Sequence, residues 1–428
     1  MQAISVPYGN TQIDFSLEDN LEITTVNLND YPVLEDFDTA VDEALEHPVG
    51  SPRLREIVRP GEKVAVIISD FTRASYRTDL YLAKVLDQCN AGGVPDENIT
   101  VVIATGYHEA ATEEEKHILA GEAVCRRVKI ESHDCHAPDL VNYGKTVRGN
   151  DVFINRTVAR ADRVVLTGGI CYHTFAGFGG GRKSVAPGVA GFSTIEGNHQ
   201  NCFDREAKYQ IDPMCNSGIL EGNPVSEEMF EIAGMVKPAF LVNVVVNDHG
   251  QFCGIVAGDW REAYFAGVEI IKKIYGVKLR RTFDAAIISN GGAPKDVNLF
   301  QSVKGLHNAK FAMNPGSSVV LCAQCFNGIG PDGYRKGFHM DSYEALWEFL
   351  RYERYDPEMA ISLLTMGYLR HMKVYLLSGL PEADVRLAGM IPVKSAEEAW
   401  ARIREDKPHL EAVMVLPCGA LTCPIMDM

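Results

Sequence analysis

Short apolar runs recur along this chain, and each is followed by a turn residue and then by a segment with helical periodicity. Such runs are typical of buried parallel strands, and their alternation with amphipathic helices is typical of an α/β fold. The clearest runs are residues 64–68, 99–104, 163–166, 240–246, 285–288, 318–321, 374–377 and 413–416. The predicted helices include residues 79–90, 112–128, 261–275 and 395–404.

The length of 428 residues predicts two domains. The helix predicted at 261–275 ends at Gly276, and the polar segment 278–281 precedes a new series of strands and helices. We therefore predict an N-terminal domain of residues 1–275 and a C-terminal domain of residues 276–428. Each should contain a mostly parallel sheet flanked by helices, with the active site in the cleft between the domains.

Composition excludes several classes of protein. The net charge is −16 and no run of Lys or Arg occurs, which argues against nucleic-acid binding. The N-terminus resembles no signal peptide, and no apolar run approaches the ~18 residues of a membrane span, so we expect a cytoplasmic protein. Eleven scattered cysteines fit a reducing compartment, and the lone Cys322-x-x-Cys325 pair favours buried or loop thiols over zinc.

Polar residues follow three successive predicted strands. Asp70, Thr72 and Arg73 follow the first, His108 follows the second, and His173 follows the third. Because ligands bind beyond the carboxyl ends of parallel strands, these side chains are predicted to share one edge of a sheet. His108 and His173 can serve as general acid and base, although each can also be structural, and Arg73 suits a carboxylate, a phosphate or an ion pair.

The segment 177–183 is glycine-rich and ends in Arg182 and Lys183. It predicts a loop whose N–H groups turn together toward an anion. Lys183 can contact a phosphate, form an imine or attach a cofactor. Ser193 and Glu196 predict a capping box that starts a helix near Thr194 and carries His199. One histidine is a poor metal site unless a cofactor supplies the other ligands, so the spacing alone favours a structural role for His199.

Taken together, these motifs resemble the nickel-pincer lactate racemase family. The resemblance covers about residues 65–305 and keeps the order and spacing of the motifs. They are Asp70-x-Thr72-Arg73, Gly106-x-His108, His173 with Gly179-Gly-Gly-Arg-Lys183 and Pro187-Gly188, Asn198-His199, Gly291-Gly292-x-Pro294-x-Asp296, and Gln301-x-x-Lys304.

The resemblance implies a nickel-pincer nucleotide, pyridinium-3-thioamide-5-thiocarboxylate mononucleotide, that holds Ni²⁺ through a ring carbon and two sulfurs. A lysine corresponding to Lys183 joins this cofactor through a thioamide, and a histidine corresponding to His199 completes the nickel coordination. Gly180 and Arg182 are then candidates for the phosphate, and Asp70 and Thr72 for other cofactor contacts. Separate biosynthetic proteins must make and load the cofactor.

The reaction that the resemblance implies is racemisation of a 2-hydroxy acid by reversible hydride transfer to the cofactor. His108 and His173 alternate as base and acid, since each enantiomer needs its own base. The substrate carboxylate is expected to be fixed by three residues, Arg73, Gln301 and Lys304.

This chain departs from the family pattern beside the expected substrate site, at Ala74 after Thr72-Arg73 and at Glu109-Ala110 after His108. These departures leave the substrate open, because Arg77 can serve a second carboxylate, as in malate or 2-hydroxyglutarate, or lie exposed. Three other functions also remain open: a zinc-dependent hydrolase, a pyridoxal-phosphate enzyme using Lys183, and a non-enzymatic ligand or cofactor carrier.

Overall fold

The computed structural model describes residues 1–427, which form two compact units. Unit I comprises Tyr31–Cys202 and Ile211–Lys272. Unit II comprises Met1–Asp30, Phe203–Gln210 and residues 273–427.

The strands of the two units are named here in chain order. They are β1 Gln2–Tyr8, β2 Thr11–Leu17, β3 Glu22–Thr25, β4 Val64–Ser69, β5 Ile99–Ala104, β6 Lys129–Ser132, β7 Val141–Lys145, β8 Asp151–Ile154, β9 Arg163–Gly169, β10 Tyr172–His173, β11 Gly177–Phe178, β12 Phe240–Val246, β13 Phe252–Gly258, β14 Gly276–Leu279, β15 Phe283–Ser289, β16 Met313–Cys322, β17 Met372–Leu377, β18 Ile391–Val393, β19 Ala412–Leu416 and β20 Cys423–Met426.

The α-helices are α1 Phe37–Glu46, α2 Leu54–Ile57, α3 Leu82–Ala91, α4 Glu113–Ala120, α5 Glu122–Cys125, α6 Arg156–Ala159, α7 Phe192–His199, α8 Pro224–Val236, α9 Glu262–Tyr275, α10 Leu299–Ala309, α11 Asp332–Gly337, α12 Tyr343–Glu348, α13 Pro357–Leu369, α14 Glu382–Leu387 and α15 Ala396–Asp406. Short 3₁₀ segments lie at Phe71–Tyr76, Thr78–Leu80, Asp96–Asn98, Gly181–Ser184, Gln200–Cys202 and Lys310–Ala312, and a π-helical turn lies at Phe349–Glu353.

Unit I is built on a six-stranded sheet of order β13-β12-β9-β4-β5-β6. All neighbours are parallel except β12 and β13. The chain leaves β4 toward β5 on one side and later returns to β9 on the other, so the strand order reverses between β4 and β9. Ligands in open α/β sheets bind at such a switch point, beyond the carboxyl ends of the strands.

Unit II is built on a second six-stranded sheet of order β18-β17-β16-β15-β19-β3, in which all neighbours are parallel. Its strands bury Val, Ile, Leu and Ala side chains, as the continuous apolar runs predict. The predicted α/β fold, with mostly parallel sheets flanked by helices, is confirmed.

The division of the chain differs from the predicted domains 1–275 and 276–428 in its first residues and in one internal segment. Residues 1–30 belong to unit II because β3 pairs with β19 and because Val6, Phe15 and Leu17 are buried in the core of that unit. The segment Phe203–Gln210 also belongs to unit II, where the ring of Phe203 lies 5.4 Å from that of Trp347. Contacts between segments that are far apart in the chain leave no signal in the local sequence pattern.

Helix starts were predicted with mixed success. Thr112 and Glu115 form the predicted capping box, but the helix ends at Ala120, and Gly121 separates it from α5. The predicted capping box at Ser193 is wrong, since α7 begins at Phe192 after Gly191 and has no side-chain cap. A Cβ on Gly191 would lie 2.9 Å from Leu140 Cδ1, so tertiary packing fixes this start.

Among residues 1–427, no helix has the length and apolarity needed to cross a membrane.

Candidate active site

A cavity of about 130 Å³ lies in unit I, beyond the carboxyl ends of β4, β5 and β9. Asp70 and Arg73 enter its wall after β4, and His108 enters after β5. The predicted residues that line it are Asp70, Arg73, His108, His173, Gly180, Lys183 and His199. The sheet thus brings together residues that are up to 129 positions apart in sequence, from Asp70 to His199.

Asp70 and His108 form a hydrogen-bonded pair on one wall of the cavity. Asp70 Oδ2 lies 2.5 Å from His108 Nδ1, and Asp70 Oδ1 accepts from Thr72 Oγ1 at 2.7 Å and from Arg73 at 3.1 Å. Burial alone raises the pKa of Asp70, but His108 and Arg73 outweigh it and lower that pKa. An ionised Asp70 accepts the Nδ1 proton of His108, and this leaves Nε2 with a lone pair that can take a proton.

His173 is held in the opposite tautomer. Its Nδ1 accepts the backbone N–H groups of Phe175 at 3.3 Å and Ala176 at 3.2 Å, so the proton of the neutral ring lies on Nε2. That Nε2 lies 3.1 Å from Lys183 Nζ. In their neutral forms, His108 therefore presents an Nε2 lone pair and His173 an Nε2–H group.

The pKa values of both partners of this second pair are lowered. Burial, followed by the charges of Lys183 and His199, holds the pKa of His173 well below its usual range. Burial, followed by the charges of Arg73 and Arg182, does the same to the pKa of Lys183. A neutral amine has the lone pair that nucleophilic attack requires, so Lys183 is suited to covalent attachment.

His199 ends α7 and is buried against the cavity. Its Nδ1 lies 2.9 Å from the carbonyl of Ile195, one helical turn earlier, so Nδ1 carries the proton and Nε2 keeps a lone pair. Burial and the charge of Lys183 lower the pKa of His199 to about 4. A neutral imidazole with a fixed tautomer is the form that binds a metal ion.

Three N–H groups of the glycine loop, which was predicted to bind an anion, bond within the protein. That of Gly179 donates to Cys171 O, that of Gly181 to Asn243 Oδ1, and that of Lys183 to Gly180 O. The glycines instead permit close packing. Gly180 has φ +73°, and a Cβ there would lie 2.8 Å from Gly169 O. The loop brings Lys183 to the cavity because it packs directly against β9.

Arg182 also differs from the prediction, because its guanidinium is fully buried and does not line the cavity. It donates to the Tyr264 hydroxyl, to Ala176 O at 2.6 Å and to Ser226 Oγ at 3.0 Å. The ring centroid of Phe230 lies 4.8 Å from its Cζ. Its predicted contact with a phosphate has no support in this geometry, and its charge acts on Lys183 from behind the loop.

Three other predicted residues lie outside the wall of this cavity. Thr72 is exposed and supports Asp70 rather than lining the cavity. Gln301 and Lys304 lie on α10 of unit II, where Lys304 Nζ donates to Gln301 Oε1 at 2.5 Å. Their predicted contact with a substrate, and the predicted active site in a cleft between domains, stay predictions.

Among the wall residues that were not predicted as site residues are Tyr107 and Cys171. The ring of Tyr107 lies 4.8 Å from that of His108 in an edge-on arrangement. Cys171 follows β9 by two positions. The position of Tyr107 directly before His108 was the available signal. By contrast, His133 is structural: it is buried, and its Nε2 lies 2.9 Å from Ala190 O.

Arg77 forms an ion pair with Asp79 outside this wall. Its Nε and Nη2 donate to both carboxylate oxygens of Asp79, at 2.9 Å and 2.8 Å. The side chain of Arg77 is 52% exposed, and Arg77 does not line the cavity.

The Cys322 and Cys325 thiols are buried, as predicted for this pair, and burial raises the pKa of Cys325 to about 12.

Comparison with known proteins agrees with this arrangement. Residues 8–210 match the family described as the lactate racemase N-terminal domain, and residues 279–422 match the lactate racemase C-terminal domain. The chain belongs to the lactate racemase family. It is therefore an isomerase, and specifically a racemase.

Individual relatives match over nearly the whole chain. The lactate racemases of Thermoanaerobacterium thermosaccharolyticum and Lactiplantibacillus plantarum are each 29% identical to this racemase over 98% of its length, and the matches cover 98% and 99% of those proteins. The structure of the T. thermosaccharolyticum lactate racemase apoprotein matches with a TM-score of 0.88 at 28% identity, over 99% of this chain and 100% of that one. A Thermotoga maritima structure matches with a TM-score of 0.62 at 18% identity, over 89% of this chain and 100% of that one, and shows the fold alone.

Proposed function

We propose that this racemase interconverts the enantiomers of lactate or a closely related 2-hydroxy acid, with a nickel-pincer nucleotide attached to Lys183. The observation that carries the proposal is the pair of oppositely protonated histidines, His108 and His173, in one cavity with Lys183 and His199. A racemase needs a base on one side of the reacting carbon and an acid on the other.

The residues present fit the proposed cofactor. Lys183 offers an amine whose pKa is lowered by burial, and His199 offers an Nε2 lone pair whose direction is fixed by the Nδ1 bond to Ile195. Within residues 1–427, no group of three or more His, Cys, Asp or Glu side chains is arranged to hold a metal ion. A single histidine suits nickel when a bound group supplies further soft ligands. When bound, the cofactor supplies a carbon that accepts and returns the hydride from C2.

The protein residues then transfer the hydroxyl proton and bind the substrate carboxylate. His108, held by Asp70, would take the hydroxyl proton of one enantiomer at Nε2 and become an imidazolium. His173 would give a proton from Nε2 of its imidazolium form when the opposite face is reduced, and would end as the neutral imidazole. For the other enantiomer the two roles are exchanged. Arg73 is half-buried at the wall and is suited to the substrate carboxylate, together with Gln301 and Lys304.

The paired state of Arg77 favours a substrate with one carboxylate. Both ends of its guanidinium fork are occupied by Asp79, and a second substrate carboxylate would have to displace that partner. Cofactor loading implies separate biosynthetic proteins as partners.

The test is to load the protein with a cofactor-producing extract and measure its intact mass and nickel content. We expect an added mass localised to Lys183 and about one nickel per chain. Lys183→Ala should lose both, whereas Lys145→Ala, at an exposed lysine paired with Asp151, should keep both. A Lys183→Ala protein that still gains the adduct overturns the assignment.

The reaction is tested separately by a chiral assay on a panel of 2-hydroxy acids. With 2-deuterated substrate, turnover should slow and deuterium should remain at C2 of the product. Complete exchange of that deuterium with water would contradict hydride transfer and support an enolate mechanism.

A further inference from the structure

A buried carboxylate, Glu228, joins the helix of His199 to the rest of unit I. Glu228 lies on α8 and is 1% exposed. Its Oε1 accepts from Thr146 Oγ1 at 2.8 Å, and its Oε2 accepts from Asn150 Nδ2 at 3.4 Å, Asn198 Nδ2 at 3.0 Å and Asn201 Nδ2 at 2.8 Å. All four donors are neutral side chains.

Glu228 forms no ion pair with any side chain of the described residues 1–427. Arg148, which is nearby in sequence to Thr146, pairs at 3.1 Å with the adjacent Glu227 instead. A carboxylate only accepts hydrogen bonds, and here each bond comes from an N–H or O–H group. An amide in place of the carboxylate would lose the charge that strengthens these bonds, and would place a donor either against the Thr146 hydroxyl or against the three asparagine amides.

Three of these bonds fix the position of α7. Asn198 precedes His199 directly, and Asn201 follows it by two residues. Asn150 donates both to Glu228 and, at 2.9 Å, to the Thr194 carbonyl within α7. The helix also lies so close to Asn150 that a Cβ on Gly197 would be 2.3 Å from Asn150 Oδ1.

The same first turns of α8 also hold the lysine loop. Asn223, the N-cap of α8, donates to Phe175 O at 2.8 Å, and Ser226 Oγ accepts from Arg182 at 3.0 Å. One helix therefore contacts the segment that carries Lys183 and the segment that carries His199. Glu228 serves only the second of these.

We propose that Glu228 is a positioning residue for His199, and that the N-terminal turns of α8 set the separation between His199 and Lys183. This inference rests on the proposed role of His199 as a nickel ligand. The hydrogen bonds from neutral donors to Glu228 hold the imidazole that binds the metal ion. Attachment of the cofactor depends instead on the loop that Ser226 contacts.

The test compares the loaded wild type with Glu228→Gln and with Glu227→Gln, a matched control one residue earlier on the same helix. Glu228→Gln should keep the adduct mass at Lys183 but release nickel to a chelator about tenfold faster, the low end of what outer contacts of metal ligands contribute. Glu227→Gln should release nickel at the wild-type rate. The double variant Glu228→Gln with Asn201→Asp restores a donor–acceptor pair and should recover much of the loss.

Hydrogen exchange of the protein without cofactor separates this inference from the proposed function. Glu228→Gln should speed exchange of backbone amides in residues 192–202 and leave the strands of unit I unchanged. If wild-type protein gains neither adduct nor nickel, the proposed function fails, while faster exchange confined to 192–202 still supports the hold of Glu228 on α7.

Two results would overturn the inference: nickel release and exchange equal to wild type, or equal loss of adduct and nickel with faster exchange throughout unit I. If Glu228→Gln does not fold, Asn201→Ala removes one donor and should change nickel release in the same direction. Unchanged nickel release in that variant counts against the proposal.

Discussion

The two units carry the same kind of sheet but use the acidic residues beyond their strands in different ways. In unit I, Asp70 follows β4 and bonds to the titratable side chain of His108 at the wall of a cavity. In unit II, Asp296 follows β15 and accepts the backbone N–H groups of Gly9 at 2.7 Å and Gln324 at 3.0 Å. Both carboxyl groups are buried.

The difference lies in what each carboxylate bonds to. A carboxylate that binds only backbone N–H groups fixes the path of the chain, as Asp296 does for three segments of unit II. A carboxylate that binds an imidazole beside a cavity fixes which nitrogen of that ring carries the proton. Burial alone does not distinguish the two uses, whereas the identity of the hydrogen-bond partner does.

The largest expected effect is on Asp70. In Asp70→Asn, an amide that donates to His108 Nδ1 favours the tautomer with the proton on Nε2, so the base is lost. We expect turnover of the loaded enzyme to fall about 10²–10⁴-fold, with little change in melting temperature. Thr72→Val, which removes the Thr72 bonds to Asp70 and Arg73 but leaves the His108 bond in place, is the control and should lose far less. Equal losses of turnover in the two variants would show that the bond between Asp70 and His108 has no special role.

The second effect is a pH dependence of stability in unit I. The pKa of His199 falls from 6.5 to about 4 in the folded protein, so between these values the unfolded chain binds more protons. Stability should therefore decrease as the pH drops below 6.5, with His199 accounting for about 2 kcal/mol by pH 5. Burial also lowers the pKa values of His133 and His173 in unit I and of His307 in unit II, so the wild-type slope includes these groups as well as His199.

Denaturant unfolding of the protein without cofactor, at pH 7 and pH 5, isolates the part due to His199. His199→Asn should lose less stability between these pH values than wild type does. The same loss in both proteins would mean that His199 is not held neutral by its surroundings.

The third effect should fall on stability rather than on chemistry. Asp296→Ala leaves the buried N–H groups of Gly9 and Gln324 without their acceptor, and we expect it to lower the free energy of unfolding by about 1–3 kcal/mol. Adduct formation at Lys183 should be unchanged. The comparison between the units is contradicted if Asp296→Ala keeps wild-type stability, as measured by denaturant unfolding.

The smallest effect is expected at Arg77, whose partner Asp79 lies outside the cavity wall. Surface ion pairs contribute at most about 1 kcal/mol, so Arg77→Gln should barely change the melting temperature. The ratio of activity on monocarboxylate and dicarboxylate substrates should also stay the same. A selective loss of activity on a dicarboxylate would show that Arg77 leaves Asp79 to bind substrate.

Several features were predictable because their signals are local. The apolar runs predicted the parallel strands of both sheets, and the strand ends predicted that Asp70, His108 and His173 lie together. Parallel strands align their carboxyl ends, so the position of a residue after its strand is enough to place it at the edge. The capping box at Thr112 succeeded for the same reason, since both partners lie within one turn.

Other features depend on contacts between distant segments. The glycine loop was predicted to bind an anion, yet its glycines permit close approach to β9 and Tyr264, and the Arg182 side chain lies behind the loop. Glu228 had no recognisable motif because its four donors come from residues 27 to 82 positions away. The partners that assign a role to each polar group are brought together only by folding.

The sequence by itself determined the α/β class, the edge of the sheet where polar residues collect, and the family. These depend on residue type and on short spacings, which survive without knowledge of the fold. The tertiary structure decided the tautomers of His108 and His173, the lowered pKa of Lys183 and the inward burial of Arg182. Each of these follows from desolvation and from hydrogen bonds to residues distant in sequence, and both effects exist only when the chain is packed.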